Sequence, residues 1–400
     1  MSFLLKMLNI FIVVFISLQG CNNYLFENEY YKIFKKGYTE WNKWRRKHPT
    51  LQPDLSYVDF RGHDIVNIDL YNLDGTRFVE ANLSNIKIIN SKSKSRVISF
   101  GLYNLNFSKA SFIKTRIYTY FKNKVYIGNC IFKNANFNGA YFKNIEINYN
   151  NNLQNTNFNQ AHIRDITVAG CTFANSTFIK ANLQYIIGTT NTIFNDTNFS
   201  EAIIQNCDFG YIDLYYLLGQ INDAKYIKKF MPYADFKKTN FTSAKLINTG
   251  FHKINFTKGL FCNSIIKNVN FYYCNLQEVN FNKSIIIDTN FNNELIRSNN
   301  IWSPVLANSV IKKEIIYKQV NLKNQHLLLS SQLVQATFQN AILTNVNFTN
   351  ANLTNVNFYK SKFQNVIFKN ADMTGAKLER KWYDYVKKQG VRNFNKIRWM

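Results

Sequence analysis

The sequence predicts an all-β repeat solenoid. Three observations carry that expectation. A bulky apolar residue falls on every fifth position through most of the chain, and a small or β-branched residue lies two positions before it. Neither the 3.6-residue period of a helix nor the 2-residue period of a strand generates such a pattern. A helix with apolar residues every five would wind its stripe around its whole surface and bury nothing.

The register is clearest from Asp235 onward: Phe236, Phe241, Leu246, Phe251, Phe256, Phe261, Ile266, Phe271, Leu276, Phe281, Ile286, Phe291 and Ile296. Two residues ahead of these lie Ala234, Thr239, Ala244, Thr249, Ile254, Gly259, Ser264, Val269, Cys274, Val279, Ser284 and Thr289. The same spacing recurs in other frames: Leu55 to Leu70, Phe78 to Ile88, Phe107 to Ile117, Phe132 to Ile147, Leu153 to Leu183, and Phe194 to Leu214. It closes with Leu333, Phe338, Leu343, Phe348, Leu353, Phe358, Phe363, Phe368, Met373 and Leu378. One five-residue unit cannot bury its own Phe, but stacked units bury a continuous column.

Segments such as Ala81-Asn82-Leu83-Ser84-Asn85 and Ala351-Asn352-Leu353-Thr354-Asn355 resemble the A-(D/N)-L-x-x consensus of the pentapeptide-repeat family, and the resemblance covers most of residues 53 to 378. It implies a right-handed quadrilateral parallel β-helix in which four units make the four sides of each coil. The central residue and the small residue two before it then point inward, and the other three face water. About fifty units give roughly twelve coils and, at the ~4.8 Å strand spacing, a rod on the order of 60 Å long. With Phe common at the centre, the column is expected to stack its rings.

In chain order, residues 1–21 read as an export leader. Lys6 precedes an apolar run from Leu8 to Leu18, too short to span a bilayer. The run ends in Leu18-Gln19-Gly20-Cys21, which resembles the lipobox of bacterial lipoproteins. That resemblance implies lipidation of Cys21 and attachment of the body to a membrane; the competing reading is an ordinary cleaved signal peptide. Residues 22–52, with Trp41, Trp44, Arg45 and Arg46, are expected to form a helical N-terminal cap, because an open solenoid end invites edge-to-edge pairing. Solenoid is expected over 53–214, 233–296 and 333–378. Insertions are expected at 215–232 and 297–332, with smaller corner loops near Asp74-Gly75, Ser91 to Arg96 and Thr189-Thr190. Residues 379–400, with Trp382, Tyr385, Phe394 and Trp399, are expected to form a helical C-terminal cap.

No catalytic constellation is legible, so no enzymatic activity and no cofactor are expected. His48, His63, His162, His252 and His326 lack metal-ligand spacing, and His63 falls on an inward position as a misfit. Cys130, Cys171, Cys207 and Cys274 each precede a central residue by two and read as small core residues; Cys262 is expected to face outward as a free thiol. Asn is frequent just before the central residue, as at Asn240, Asn255, Asn270, Asn275, Asn280 and Asn290, where it suits turn backbone.

The 49 basic against 24 acidic residues give a formal charge of +25. Two readings of that excess stand: codon bias on solvated faces, or a surface selected for anions. Lys237, Lys238, Lys253, Lys258, Lys267 and Lys283 lie outside the core register, on several different sides. The charge has the wrong sign for the gyrase-inhibiting DNA mimicry of some family members. The expected function is a non-enzymatic scaffold presenting a rigid surface to a protein partner at the bacterial cell envelope, exported and membrane-anchored. The alternative is a basic binder of anionic polymers: nucleic acid, acidic polysaccharide or anionic lipid. A homodimer is a further expected partner state.

Overall fold

The computed structural model describes residues 28–66, 71–90, 101–119, 125–148, 150–189, 192–211, 234–252, 254–272, 274–291 and 333–400. The leader with Cys21, the insertions at 215–232 and 297–332, and the loop at Ser91 to Arg96 lie outside the described residues.

The chain winds as a parallel β-solenoid of four sides. On what we term the second side, Asp59, Asn82, Ser111, Asn136, Asn157, Thr177, Asn198, Asn240, Leu260, Asn280, Thr337, Asn357 and Lys377 are bridged in parallel, each to the next. Twenty residues separate Asn157 from Thr177, Asn240 from Leu260, and Thr337 from Asn357, so one coil is four five-residue units. The step grows to 42 residues between Asn198 and Asn240 and to 57 between Asn280 and Thr337, where the two long insertions leave.

All of this irregularity falls on one part of the coil. Leu55-Phe60-Ile65, Phe107-Phe112-Ile117, Phe194-Phe199-Ile204 and Leu333-Phe338-Leu343 each cross from the first side through the second to the third in steps of five. The same holds for the central residues of every coil between them. The extra residues are confined to the fourth side and its corners. The third side therefore runs without interruption through twelve strands, in register Ile65, Ile88, Ile117, Phe142, Ile163, Leu183, Ile204, Leu246, Ile266, Ile286, Leu343 and Phe363.

Inside, Phe236, Phe241, Leu246, Phe251, Phe256, Phe261, Phe271, Phe281, Phe338, Phe348, Phe358 and Phe368 are all buried. The second side stacks ten rings without a break, from Phe112 on Phe137 (4.6 Å between centroids) through Phe241 on Phe261 (4.7 Å) to Phe338 on Phe358 (5.1 Å). Inward hydroxyls are satisfied locally: Thr156, Ser264 and Ser284 each donate to the carbonyl three residues back, that of Leu153, Phe261 and Phe281. Corners need left-handed backbone two residues after the central position, and Asn155, Asn175, Asn248, Asn268, Asn345 and Asn365 all have φ between 49° and 59°. The Asn just before the centre does a second job. Its Oδ1 accepts the N–H two residues on, as in Thr242 N–H to Asn240 and Asn282 N–H to Asn280, both at 2.9 Å.

The two halves of the column differ. On the fourth side the later coils place Phe209, Phe251, Phe271, Phe291, Phe348 and Phe368, whereas the earlier ones place Leu102, Ile127, Ile147, Val168 and Gly188. Gly188 stands where a bulky residue belongs, and a Cβ there would lie 2.8 Å from Phe209 Cδ1. At Gly188 the ring of Phe209 takes up that space, and the loose filling lies among the smaller fourth-side residues before it. An apolar cavity of about 60 Å³ extends along the earlier half, from Phe34 at the N-terminal end to Phe209. Every described central residue from Phe251 to Phe358 is 0% exposed.

The N-terminal end is closed by helices α1 (Glu29–Phe34) and α2 (Tyr38–Lys47). Phe34 and Trp41 are buried, Trp41 Nε1 donates to Asn72 O (2.8 Å), and Arg45 Nη2 donates to Asp74 O (3.1 Å). At the other end the expected short helical cap is present, with a strand added to it. Only α3 (Tyr383–Lys387) is α-helical, flanked by 3₁₀ turns, and the terminal Arg398–Trp399 adds a last strand beside Lys377–Leu378. Pairing the final strand satisfies the open rung directly, which a helix lying across it could not do.

Filling the hollow half and overfilling the dense half should have opposite outcomes. Val168→Phe is expected to leave the midpoint of urea unfolding unchanged or raised. Ile266→Phe is expected to lower stability by about 1–3 kcal/mol, as overpacking does. Equal losses for the two variants would contradict a hollow first half.

Candidate interaction face

The inward residues are spent on packing, so any site must be built from outward ones. On each side the residues immediately before and after the central one stand on the flat of the sheet, in columns that follow the strand register. On the third side these positions hold Lys87, Arg116, Lys143, Arg164, Lys245, Lys267 and Lys362 against a single acid, Asp64. The first side carries Arg77, Lys133, Lys237 and Arg392 against Asp54, Asp235 and Asp372. The second carries Arg61 and Lys377 against Asp59 and Glu379, and the fourth Lys369 against Asp74, Glu146 and Asp208. Among the described residues, cationic excess on the flat of the sheet belongs to the third side.

Little on that side neutralises it. Lys87 lies 3.7 Å from Asp64 and Arg164 lies 3.2 Å from Asp165 at the corner. Lys143, Lys245, Lys267 and Lys362 have no carboxylate within 4.0 Å among the described residues. Like charges also sit on adjacent rungs, Lys87 opposite Arg116 and Lys143 opposite Arg164, an arrangement that works against pairing. Arg116 stands over the rings of Tyr118 and Tyr141, at 5.7 and 5.3 Å.

The later half of the same side interleaves cations with isoleucines. One column reads Ile203, Lys245, Ile265, Ile285, Ile342, Lys362, and its neighbour Ile247, Lys267, Ile287. Ile203, Ile285 and Ile342 are 36–40% exposed. Along the corner beside it runs an amide ladder: Asn248 Nδ2 donates to Asn206 Oδ1, Asn268 to Asn248, Asn345 to Asp288, and Asn365 to Asn345, at 2.8–3.1 Å. The lysines singled out from the sequence are dispersed. Lys237, Lys238 and Lys258 fall on the first side and its corner, Lys283 at the corner of the second, and Lys267 on the third; Lys253 lies outside the described residues. Lys245 and Lys362, which complete the face, obey the same register but cannot be grouped until the lengths of the coils are known.

No group of three or more His, Cys, Asp or Glu that could hold a metal exists among the described residues. His252 Nε2 lies 3.1 Å from Asp208 Oδ1 across adjacent coils, a polar rung of the fourth side. His63 is half-buried beneath Tyr31 and Phe34 of the N-terminal cap, and burial, with Lys35 nearby, holds its imidazole below the ordinary value. Burial pushes the thiols of Cys130, Cys207 and Cys274 up to about 12 and that of Cys171 up to about 11. Cys262 stands on the flat of the second side and is half-buried there, with its thiol raised by burial and Sγ 3.8 Å from Asn280 O.

Residues 331–370 and 341–380 match the family model described as Pentapeptide repeats, in eight copies. Among solved structures, the chain is similar to HetL, a pentapeptide repeat protein of the cyanobacterium Nostoc, at 16% identity over 75% of this chain and 90% of that one, with a TM-score of 0.41. It is also similar to QnrB1, a plasmid-mediated fluoroquinolone resistance protein, at 12% identity over 76% and 96%, TM-score 0.28. A third is Rfr23 of the cyanobacterium Cyanothece, at 16% identity over 46% and 89%, TM-score 0.14. No curated protein matches the sequence.

Two measurements check these environments. Iodoacetamide at pH 8 followed by peptide mapping is expected to modify Cys262 in the folded protein and Cys130, Cys171, Cys207 and Cys274 only after denaturation; uniform labelling would contradict the burial. For His63 the folded value lies below the unfolded 6.5, so its contribution to stability is present above pH 6.5 and is lost as pH falls through the lowered folded value. The melting temperature should drop between pH 7 and 5, and His63→Phe should flatten that slope.

Proposed function

Since the chain is a pentapeptide-repeat protein, we propose that it acts as a non-enzymatic scaffold, a rigid rod at the bacterial cell envelope held by one side against an anionic surface. The remaining sides are left to a protein partner. The observation that carries this reading is the third side: twelve strands without an insertion, with seven cations on its flat against one acid. A stacked aromatic core does not rearrange on binding, so the cations keep their spacing before the partner arrives, and binding orders little that was loose. The same side favours the second reading, a binder of anionic polymers, because counterion release rewards many cations presented together. Anchorage through lipid on Cys21 would place the rod at a membrane; among the described residues no helix is long and apolar enough to cross one.

Two experiments test this function. Retention on heparin at low salt should fall steeply with ionic strength and drop sharply in Lys245→Glu/Lys267→Glu/Lys362→Glu, measured as elution salt; elution unchanged by the triple substitution would remove the third side from the proposal. Radiolabelled palmitate should be incorporated by the wild-type chain and not by Cys21→Ala, and incorporation that persists in the variant would refute the anchor.

A further inference from the structure

We infer that the third side lies flat on an anionic lipid bilayer, its lysines against headgroup phosphates and its isoleucines in the headgroup boundary. The inference rests on the reading of that side as an anion-binding surface and names what the anion belongs to. A hydrated polymer such as nucleic acid or acidic polysaccharide rewards the cations alone, and for it the isoleucines are exposed apolar surface with no counterpart. The lysines and isoleucines here share one plane. Lys245 is followed by Ile265, Ile285, Ile342 and Lys362 in a single column, and Lys267 sits between Ile247 and Ile287 in the next. Cations and aliphatic side chains in one sheet plane match the layered chemistry of a membrane surface, phosphate outside and hydrocarbon within. Toward the other end Tyr118 and Tyr141, with Arg116 over both rings, supply the amphipathic aromatics that settle at that depth. Within the third side itself the twelve strands follow one another in register with no extra residue between its flat positions.

The test uses the full chain with vesicles of phosphatidylcholine, with and without phosphatidylglycerol, and reads the difference in co-sedimentation between the two so that the apolar leader cancels. Binding is expected to favour the anionic vesicles by roughly tenfold or more at low salt. That preference should vanish in Lys245→Glu/Lys267→Glu/Lys362→Glu. It should weaken several-fold in Ile285→Gln/Ile342→Gln and persist in Lys114→Glu/Lys283→Glu/Lys360→Glu, which makes the same charge change at the corner of the second side. Circular dichroism melts of each variant exclude misfolding. Heparin retention without vesicle preference would overturn the lipid assignment and leave the anion-binding surface standing. Loss of neither in the first triple variant would overturn both. Vesicle binding indifferent to the isoleucine substitutions would also overturn the inference, since adsorption by charge alone requires no apolar contact.

Discussion

No coil of this protein can bury its own inward residues; each depends on the coils above and below. That single constraint governs the molecule. A Phe in one five-residue unit has only neighbouring units to cover its ring faces, so the ten-ring column from Phe112 to Phe358 is the minimum arrangement that dries the aromatics rather than an addition to an existing core. The constraint also explains the ends. Where the stack stops, a ring must be covered by something else. Phe34 and Trp41 do this over Phe60 and its neighbours, and Trp382 does it over Phe363 at 4.6 Å.

The same constraint gives asparagine a physical reason beyond codon usage. Turning the chain every five residues puts a residue of each unit at positive φ, which costs most side chains roughly 1 kcal/mol or more and costs Asn less. Asn also fills the position before the centre, where its side chain accepts the N–H two residues on. Where the turn residue is not Asn, as at Lys238, Lys258 and Glu278, the strain is borne by residues whose charges pair along the corner, Lys238 with Asp196 and Lys258 with Glu278.

The period of five made the inward columns legible from the sequence, since the small and bulky positions are fixed by local sterics and burial within each unit. What could not be read was which units share a side. Sharing a side depends on coil length, and coil length varies with the residues inserted on the fourth side: nothing extra between Thr177 and its predecessor Asn157, much between Asn280 and Thr337. Ile285 and Ile342 are direct neighbours in space yet 57 residues apart. The hollow first half was hidden for a related reason. Val168 looks like ordinary variation in a tolerant repeat until Phe209 and Phe251 show that the same side elsewhere is filled by rings.

The charge pattern on the third side carries a cost, and the cost argues for use. Two unit charges about 5 Å apart in water repel by about 1 kcal/mol, and adjacent rungs of a parallel sheet hold them at that distance. Lys143 beside Arg164 incurs this with no acid beside Lys143 on the flat, whereas Arg77 on the first side has Asp54 at 3.5 Å on the next rung and Lys87 on the third has Asp64 at 3.7 Å. Drift in lysine content would scatter cations over all four sides in proportion to their outward positions. It would not set seven cations against one acid on the flat of a single side while the flats of the other three carry no such excess. Repulsion is relieved when an anionic surface replaces the diffuse counterions, so the arrangement weakens the free rod slightly and strengthens the bound one. That sign is expected of a binding surface and is the opposite of what selection for stability alone would leave.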